Sequence, residues 1–454
     1  MKRRTFFKQT AGLTAGLLGG TITILKDADS VRAAPANEKL RLALVGVRGR
    51  GSALGHGFLD RGDCHVSYLC DVDLKVAEGR AKEFAKRQPD QPPKVVQDFR
   101  HALDDKSVDA VVIATPDHWH CLAGIWACQA GKDVYVEKPL SHNCWEGRKL
   151  VEAARKYNRL VQVGLQNRSA PYNHSAKKYL AEGKLGKIHF CRVLDQKEQP
   201  NFPPLSDSNP PAWFNWDMFN GPAPEAPFNL NYQNHWHHYW RYSGGDIAND
   251  SSHQLDLARW LLNVKLPKTV YSTGGRYYSD GAAETPDTQI AVFEFDNLLM
   301  SFEMTLYTPY MLKIAPQIRE SLTEFPYWPQ CATRIEIYGS EGVMYVGRHG
   351  GGWQVFVRTK DNKPVVVAQD NGRFPDPEHK ENFIRAVRNR ETPSADVEEG
   401  HLSALLTHYG NISYRLGGRK LTIDPSSEKI LGDEEAMRLF RREYRKPWVV
   451  PEVI

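Results

Sequence analysis

Between residues 40 and 164 short apolar runs alternate with segments of helical periodicity, and this rhythm leaves few folds open. The runs fall at 40–46, 66–71, 108–114, 133–136 and 161–164. Helices are predicted from the first run to about residue 60, over 74–86 and 118–130, and from about 144 to 157. Strands separated by helices of this length imply βαβ units and therefore a parallel, doubly wound Rossmann sheet. The first run ends in Gly46-Val47-Arg48-Gly49-Arg50-Gly51 and opens a helix. Gly46 suits a tight turn, Gly51 a close helix–strand approach, and the free N–H groups of the helix start suit a pyrophosphate. The middle position of the G-x-G-x-x-G pattern holds Arg48, so the fingerprint is imperfect. Asp71 strengthens it. This residue closes the second strand 20 residues beyond Gly51, where a carboxylate accepts both ribose hydroxyls and repels a 2′-phosphate. NAD is therefore favoured, while Arg48 and Arg50 nearby leave NADP open.

The rhythm changes after about residue 185. Residues 200–242 hold 11 aromatic residues out of 43, against 11% for the whole chain. A helix over about 251–262 follows, and then strand-like runs at 269–272, 290–295, 299–306, 334–338 and 343–346 succeed one another without helices. That succession predicts an α+β domain with a large, mostly antiparallel open sheet. Helices over about 377–389 and 398–416 precede a polar tail. The expected division is a leader over 1–33, a nucleotide-binding domain over 38–165, a substrate and oligomerisation domain over 166–385, and C-terminal helices and tail over 386–454 that fold back on both.

The leader explains the charge. Its six basic and two acidic residues account for +4 of the formal +5, so the remainder carries no nucleic-acid footprint. Arg3-Arg4-Thr5-Phe6-Phe7-Lys8, a mild apolar stretch and Val31-Arg32-Ala33 resemble a twin-arginine export signal. A periplasmic protein delivered by the twin-arginine machinery is expected, with no membrane span in the mature chain. Seven cysteines without a C-x-x-C pair suit free, mostly buried thiols rather than a disulfide framework.

Four further elements complete a pattern: Ala114-Thr115-Pro116-Asp117-His118-Trp119-His120, Glu137-Lys138-Pro139, Gly164-Leu165-Gln166-Asn167-Arg168, and His253 with Asp256 three residues on. Together with Gly46 to Gly51 and Asp71 they resemble the Gfo/Idh/MocA oxidoreductases. The resemblance covers nearly all of the chain after the leader. It implies an NAD(P)-dependent enzyme acting on CH–OH groups of a sugar or polyol. It implies that Thr115 and Pro116 lie by the nicotinamide half, with His118, His120, Glu137, Lys138 and Gln166 at the cofactor. It makes Lys138 and His253 the proton-handling pair, with Arg168 and Asp256 at the substrate. A cis Lys138–Pro139 bond would fix the lysine's direction. The family motif places aspartate four residues before the histidine, where this chain has Asn249, with Asp250 beside it. Asparagine orients a hydroxyl but takes no proton, so Asn249 or Asp250 is expected to orient while His253 and Lys138 act. The family also pairs open sheets into homo-oligomers.

The run His235-Trp236-His237-His238-Tyr239-Trp240-Arg241 has the look of a metal motif. Neighbouring strand histidines alternate faces, however, and no four-ligand set is completed. No metal is expected. Trp236, His237, Tyr239 and Arg241 are read instead as a sugar-binding wall, with an aromatic core of the second domain as the plain alternative. An exported dehydrogenase meets no NAD pool, so the cofactor is expected to be tightly bound. Two readings besides the sugar oxidoreductase stay open: a glycoside-cleaving or epimerising enzyme working through a transient keto sugar, and a carbohydrate-binding protein without chemistry.

Overall fold

The computed structural model describes residues 38–199 and 201–454; the predicted leader lies outside the described residues. Six strands form the first sheet: β1 (Leu40–Val45), β2 (Cys64–Cys70), β3 (Lys94–Val96), β4 (Ala110–Ile113), β5 (Asp133–Val136) and β6 (Val161–Val163). All neighbours are parallel, in the order β3-β2-β1-β4-β5-β6. The order reverses between β1 and β4, which opens a crevice at their carboxyl ends.

Strand alternation explains the two covered faces. Leu42 and Leu44 point into a core with Phe58 of helix Gly49–Asp60 and Phe383 of helix Asp376–Asn389. Ala43 and Val45 point the other way, towards Leu122 of helix Asp117–Gln129, Leu150 of helix Cys144–Lys156 and the tail residue Trp448. Each fully buried aliphatic side chain contributes about 1.5–3 kcal/mol. The expected domain boundary at 385/386 is corrected here. Helix Asp376–Asn389 runs straight through it and packs on the first sheet.

The second sheet holds β7 (Phe190–Gln196), β8 (Thr269–Gly275), β9 (Thr288–Glu294), β10 (Leu299–Thr305), β11 (Arg334–Tyr338), β12 (Val343–Gly347), β13 (Trp353–Arg358), β14 (Pro364–Asp370) and β15 (Leu421–Thr422). Its order is β14-β13-β12-β11-β7-β10-β9-β8-β15. Only the β7–β10 pair in it is parallel. Helices Pro171–Ala181, Ser252–Leu261 and Val397–Arg415 cover one face. On the other, Tyr271, Ile290 and Leu299 are exposed, and Arg192 links Glu303 to Glu336. Among the described residues no helix is long and apolar enough to cross a membrane. All seven cysteines are free and buried.

One ion pair stitches the covering helices to the strand ends. Arg168 donates to Asp256 from both Nε (3.0 Å) and Nη2 (2.8 Å), and both side chains are almost wholly buried, at 2% and 1% exposure. Ser403 Oγ donates to the same carboxylate at 2.6 Å. Asp256→Ala strands the guanidinium with the half-exposed Glu399. It is expected to cost about 3–5 kcal/mol in denaturant unfolding; a loss below ~1 kcal/mol contradicts this account.

Candidate cofactor and substrate site

The glycine turn is forced by close approach. Gly46 has φ +80°, and a Cβ there would sit 2.6 Å from the Ala114 carbonyl oxygen. A Cβ on Gly51 would meet the Gly46 oxygen at 1.8 Å. Gly49 by contrast faces open space at the start of its helix, which has no side-chain cap and no acidic residue in its first turn. That is a vacant N-terminus aimed into the crevice, as a pyrophosphate requires. Asp71 accepts from Val47 N at 2.9 Å through one carboxylate oxygen and from Asp73 N at 3.0 Å through the other. Burial pushes its pKa up, against these two bonds. Each oxygen keeps a second lone pair for a ribose hydroxyl. Beside them the Thr115 hydroxyl oxygen is buried without a partner. The residues fit a dinucleotide.

The two arginines of the turn serve the protein. Arg48 pairs with Asp73 at 2.6 Å. Arg50 is clamped by Glu137 and Asp376, each at 2.7 Å, and Gln166 lies against it and Tyr135. The clamped Arg50 guanidinium is not left for a phosphate, which corrects that expectation for Arg50; Arg48 is half-exposed at the crevice with one bond to Asp73, and the Asp71 carboxylate there fits NAD better than NADP. His118 and His120 are struts as well. His118 Nε2 meets the Phe219 carbonyl at 2.8 Å; His120 bridges the carbonyls of Pro139 (2.6 Å) and Thr115 (2.9 Å). Both are fully buried, so they support the cofactor loop from behind rather than touch a ligand. Pro116 starts helix Asp117–Gln129 at the crevice wall.

The aromatic segment lies elsewhere than expected. It docks across the crevice: Asn215 N donates to Val72 O, Leu74 N to Trp213 O, and Trp119 Nε1 to Met218 O. Gly46, Asp71 and Thr115 on one side thus face Phe219 and Trp236 on the other. Trp236 belongs to the cofactor crevice, correcting its place in a substrate wall. Tyr239 is buried against Tyr232, and Arg241 lies over the same ring, inside the segment's own core. They do not line a substrate site. His237 remains at the substrate end. Burial holds its pKa at about 2, and the charges of Lys197 and Lys138 help to depress it.

The reacting centre forms where β5 meets the second domain. The Lys138–Pro139 peptide is cis. Lys138 Nζ donates to Asn249 at the backbone oxygen (2.7 Å) and at Oδ1 (3.0 Å). It has no ion pair among the described residues. Burial pulls its pKa below the ordinary lysine value, and the Asp250 charge opposes this only in part. Asp250 itself is occupied by Lys197 (2.5 Å), Lys313 (3.0 Å) and Arg348 (2.5 Å). It buttresses the site and is not free to orient a substrate. Arg168 and Asp256 spend themselves on each other, which removes both from the substrate list. His253 opens helix Ser252–Leu261, with Nδ1 buried and unpartnered. Burial first, then His349, Arg348 and Lys138, hold its pKa well below the usual range, so its imidazole is neutral at pH 7. Among the described residues no histidine, cysteine, aspartate and glutamate side chains group into a metal site.

Sequence reasoning missed Arg348 and His349. His349 stands 4.3 Å from His253, ring to ring, at 74°. It lies 96 positions away in the chain, and the only local signal was Gly350-Gly351-Gly352 following it.

A Rossmann crevice with a ribose carboxylate, joined to a half-buried lysine and a neutral histidine, defines a nicotinamide-dependent oxidoreductase. Comparison with known proteins agrees. Residues 40–165 match the oxidoreductase family with an NAD-binding Rossmann fold. Residues 174–345 match the GFO/IDH/MocA C-terminal domain, and 341–450 an oxidoreductase-family C-terminal alpha/beta domain. The chain belongs to the Gfo/Idh/MocA family of NAD-dependent oxidoreductases. It is 25% identical over 321 residues to scyllo-inositol 2-dehydrogenase (NAD(+)) of Bacillus subtilis, covering 70% of this chain and 78% of that protein. It is 29% identical over 162 residues to a glycosyl hydrolase family 109 protein of Shewanella putrefaciens, covering 32% of this chain and 35% of the other. A levoglucosan dehydrogenase complex with NADH and levoglucosan shares the fold at a TM-score of 0.62 and 19% identity, covering 85% of this chain and 99% of that one.

Asn249 is the neutral group that receives the Lys138 ammonium. Asn249→Asp puts a carboxylate oxygen where Oδ1 stands, 3.0 Å from Nζ. The Lys138 pKa is expected to rise by about one unit or more, read from the pH titration of its 13Cε resonance. An unmoved titration refutes the assignment.

Proposed function

We propose that this protein oxidises a secondary hydroxyl of a sugar or sugar-derived polyol, using an NAD that stays bound through many turnovers in the periplasm and is returned from NADH on the enzyme by reducing the carbonyl of a second sugar. The observation that carries the chemistry is Lys138, a half-buried ammonium held by a neutral amide near the neutral His253, whose Nδ1 has no partner. Such a lysine gives up its proton more readily than a solvated one, and a neutral imidazole accepts one. Bound NAD supplies the hydride acceptor. The hydroxyl proton passes to His253 while Lys138 holds the reacting oxygen. The names of the relatives, inositol and levoglucosan dehydrogenases among them, support the substrate class.

Retention of the cofactor rests on the aromatic segment. An off-rate of ~10⁻⁴ s⁻¹ with an on-rate of ~10⁶ M⁻¹s⁻¹ needs Kd of ~10⁻¹⁰ M, about −13.6 kcal/mol. The Phe219 and Trp236 side of the crevice supplies apolar contact that an open Rossmann cleft lacks. The twin-arginine-like leader supports export in the folded state, with NAD already loaded. The exposed Tyr271, Ile290 and Leu299 on the second sheet support a homo-oligomer through that face. A second reading has the same opening step: oxidation to a keto sugar, elimination of the aglycone with loss of the acidified neighbouring proton, addition of water to the resulting double bond, and return of the hydride to the carbonyl. The glycosyl hydrolase family 109 match favours it, over 32% of this chain.

Denaturing the purified protein is expected to release stoichiometric NAD, detected by absorbance and mass; none released overturns both readings. Trp236→Ala is expected to speed NAD loss on dilution by at least ~10-fold, and an unchanged rate refutes the retention argument. Lys138→Ala is expected to keep NAD and lower kcat/KM by about 10²–10⁴. Release of the aglycone from aryl glycosides distinguishes the lytic reading from net oxidation.

A further inference from the structure

Two cations at the substrate end lack a carboxylate partner among the described residues, although the charges around them are paired. Lys197 meets Asp195, Asp246 and Asp250; Arg348 and Lys313 meet Asp250; Arg50 meets Glu137 and Asp376. Lys138 is held by the neutral Asn249. Arg319 forms no ion pair among the described residues. It belongs to helix Pro316–Glu320 and is half-buried, its guanidinium carbon 4.1 Å from the centroid of the Phe374 ring. That ring stands 4.5 Å from His349, which stands 4.3 Å from His253. Arg319, Phe374, His349 and His253 therefore make a continuous wall from the rim to the reacting centre.

The wall is rigidly built. Phe374 N donates to the Arg319 carbonyl at 2.9 Å, and a Cβ on Gly350 would meet that same oxygen at 2.6 Å. His349 has φ +58°, and Gly350, Gly351 and Gly352 continue in positive φ. Holding a non-glycine residue in that region is unfavourable, and such conformations persist where the surroundings impose them. Here the Asn167 side chain accepts from His349 N at 3.2 Å, and Tyr172 Oη from Gly350 N at 2.9 Å. His349 is 9% exposed, and its Nε2 is buried without a partner. Burial lowers the Arg319 pKa, and the Arg348 charge lowers it further.

We propose that the substrate is a sugar acid whose carboxylate pairs with Arg319 on the Phe374 platform, while His349 Nε2 bonds a ring hydroxyl. The inference rests on the sugar-oxidoreductase reading and narrows it to carboxylate-bearing sugars. A carboxylate suits one guanidinium, because the planar fork matches two oxygens side by side. A neutral sugar would leave Arg319 without an anionic partner.

Calorimetric titration of the protein, as purified with its cofactor, tests this with three probes: hexuronates (glucuronate, galacturonate, mannuronate), the matching hexoses, and hexose 6-phosphates. At least one hexuronate is expected to bind about 10–100-fold more tightly than its hexose. Arg319→Gln, a change at a half-exposed position, is expected to remove that advantage and leave hexose binding unaltered. Arg319→Lys is expected to retain part of it. Equal binding of acid and hexose, tighter binding of the phosphate, no uronate binding, or an equal loss for acid and hexose in Arg319→Gln overturns the proposal. These results are separate from the cofactor assay: a protein that releases NAD yet prefers neutral hexoses fails only here.

Discussion

A half-buried ammonium group beside an amide, with no carboxylate to hold it, organises this molecule. Lys138 stands at the end of β5 and reaches across to Asn249, in the turn before helix Ser252–Leu261. The contact ties the nucleotide-binding sheet to the second domain through two charge-assisted hydrogen bonds. It works because the two carboxylates nearest in sequence and in space are taken by other cations. Glu137, its neighbour in sequence, is taken by Arg50. Asp250, its neighbour in space, is taken by three cations. A lysine in that position keeps a depressed pKa, which is the property its chemistry requires.

The same economy governs the rest of the centre. Arginines and carboxylates that a motif assigns to ligands turn out to be ion pairs that hold the walls. Arg168 and Asp256 are the clearest case. Their exposure of 2% and 1% leaves them no route to a substrate, yet their pairing fixes the helix that presents His253. His120 acts likewise, joining Thr115 to Pro139 so that the loop after β4 and the end of β5 move together. Outside these pairs stand Lys138, held by a neutral amide, and His253, His349 and Thr115, each with a buried polar atom that has no partner among the described residues.

The aromatic segment makes a different point. Its composition marked it as a buried or sugar-facing surface, and both alternatives assumed that it serves the second domain. Backbone hydrogen bonds to Val72 and Leu74 carry it over the nucleotide-binding sheet instead. Tryptophan content says that a surface is to be covered; it says nothing about which surface lies within reach.

By itself the sequence determined the doubly wound half, because apolar residues recurring with strand and helix periods can bury themselves in few ways. It marked the glycine turn and Asp71 as short-range consequences of a strand end and a helix start, and it offered Lys138 and His253 through the resemblance to the family motif. The strands β7, β13 and β14 escaped it. In β14 the run Pro364-Val365-Val366-Val367 is exposed and lacks a one-sided apolar pattern, and in β7 Arg192 sits among buried neighbours. Tertiary structure alone decided which charged groups are free. Ionic partners such as Arg50 and Asp376 are 326 residues apart, and whether a side chain is a ligand or a strut depends on which distant carboxylate reaches it first. Pairing of that kind is a property of three-dimensional proximity and the cost of burying charge, and no local pattern encodes it.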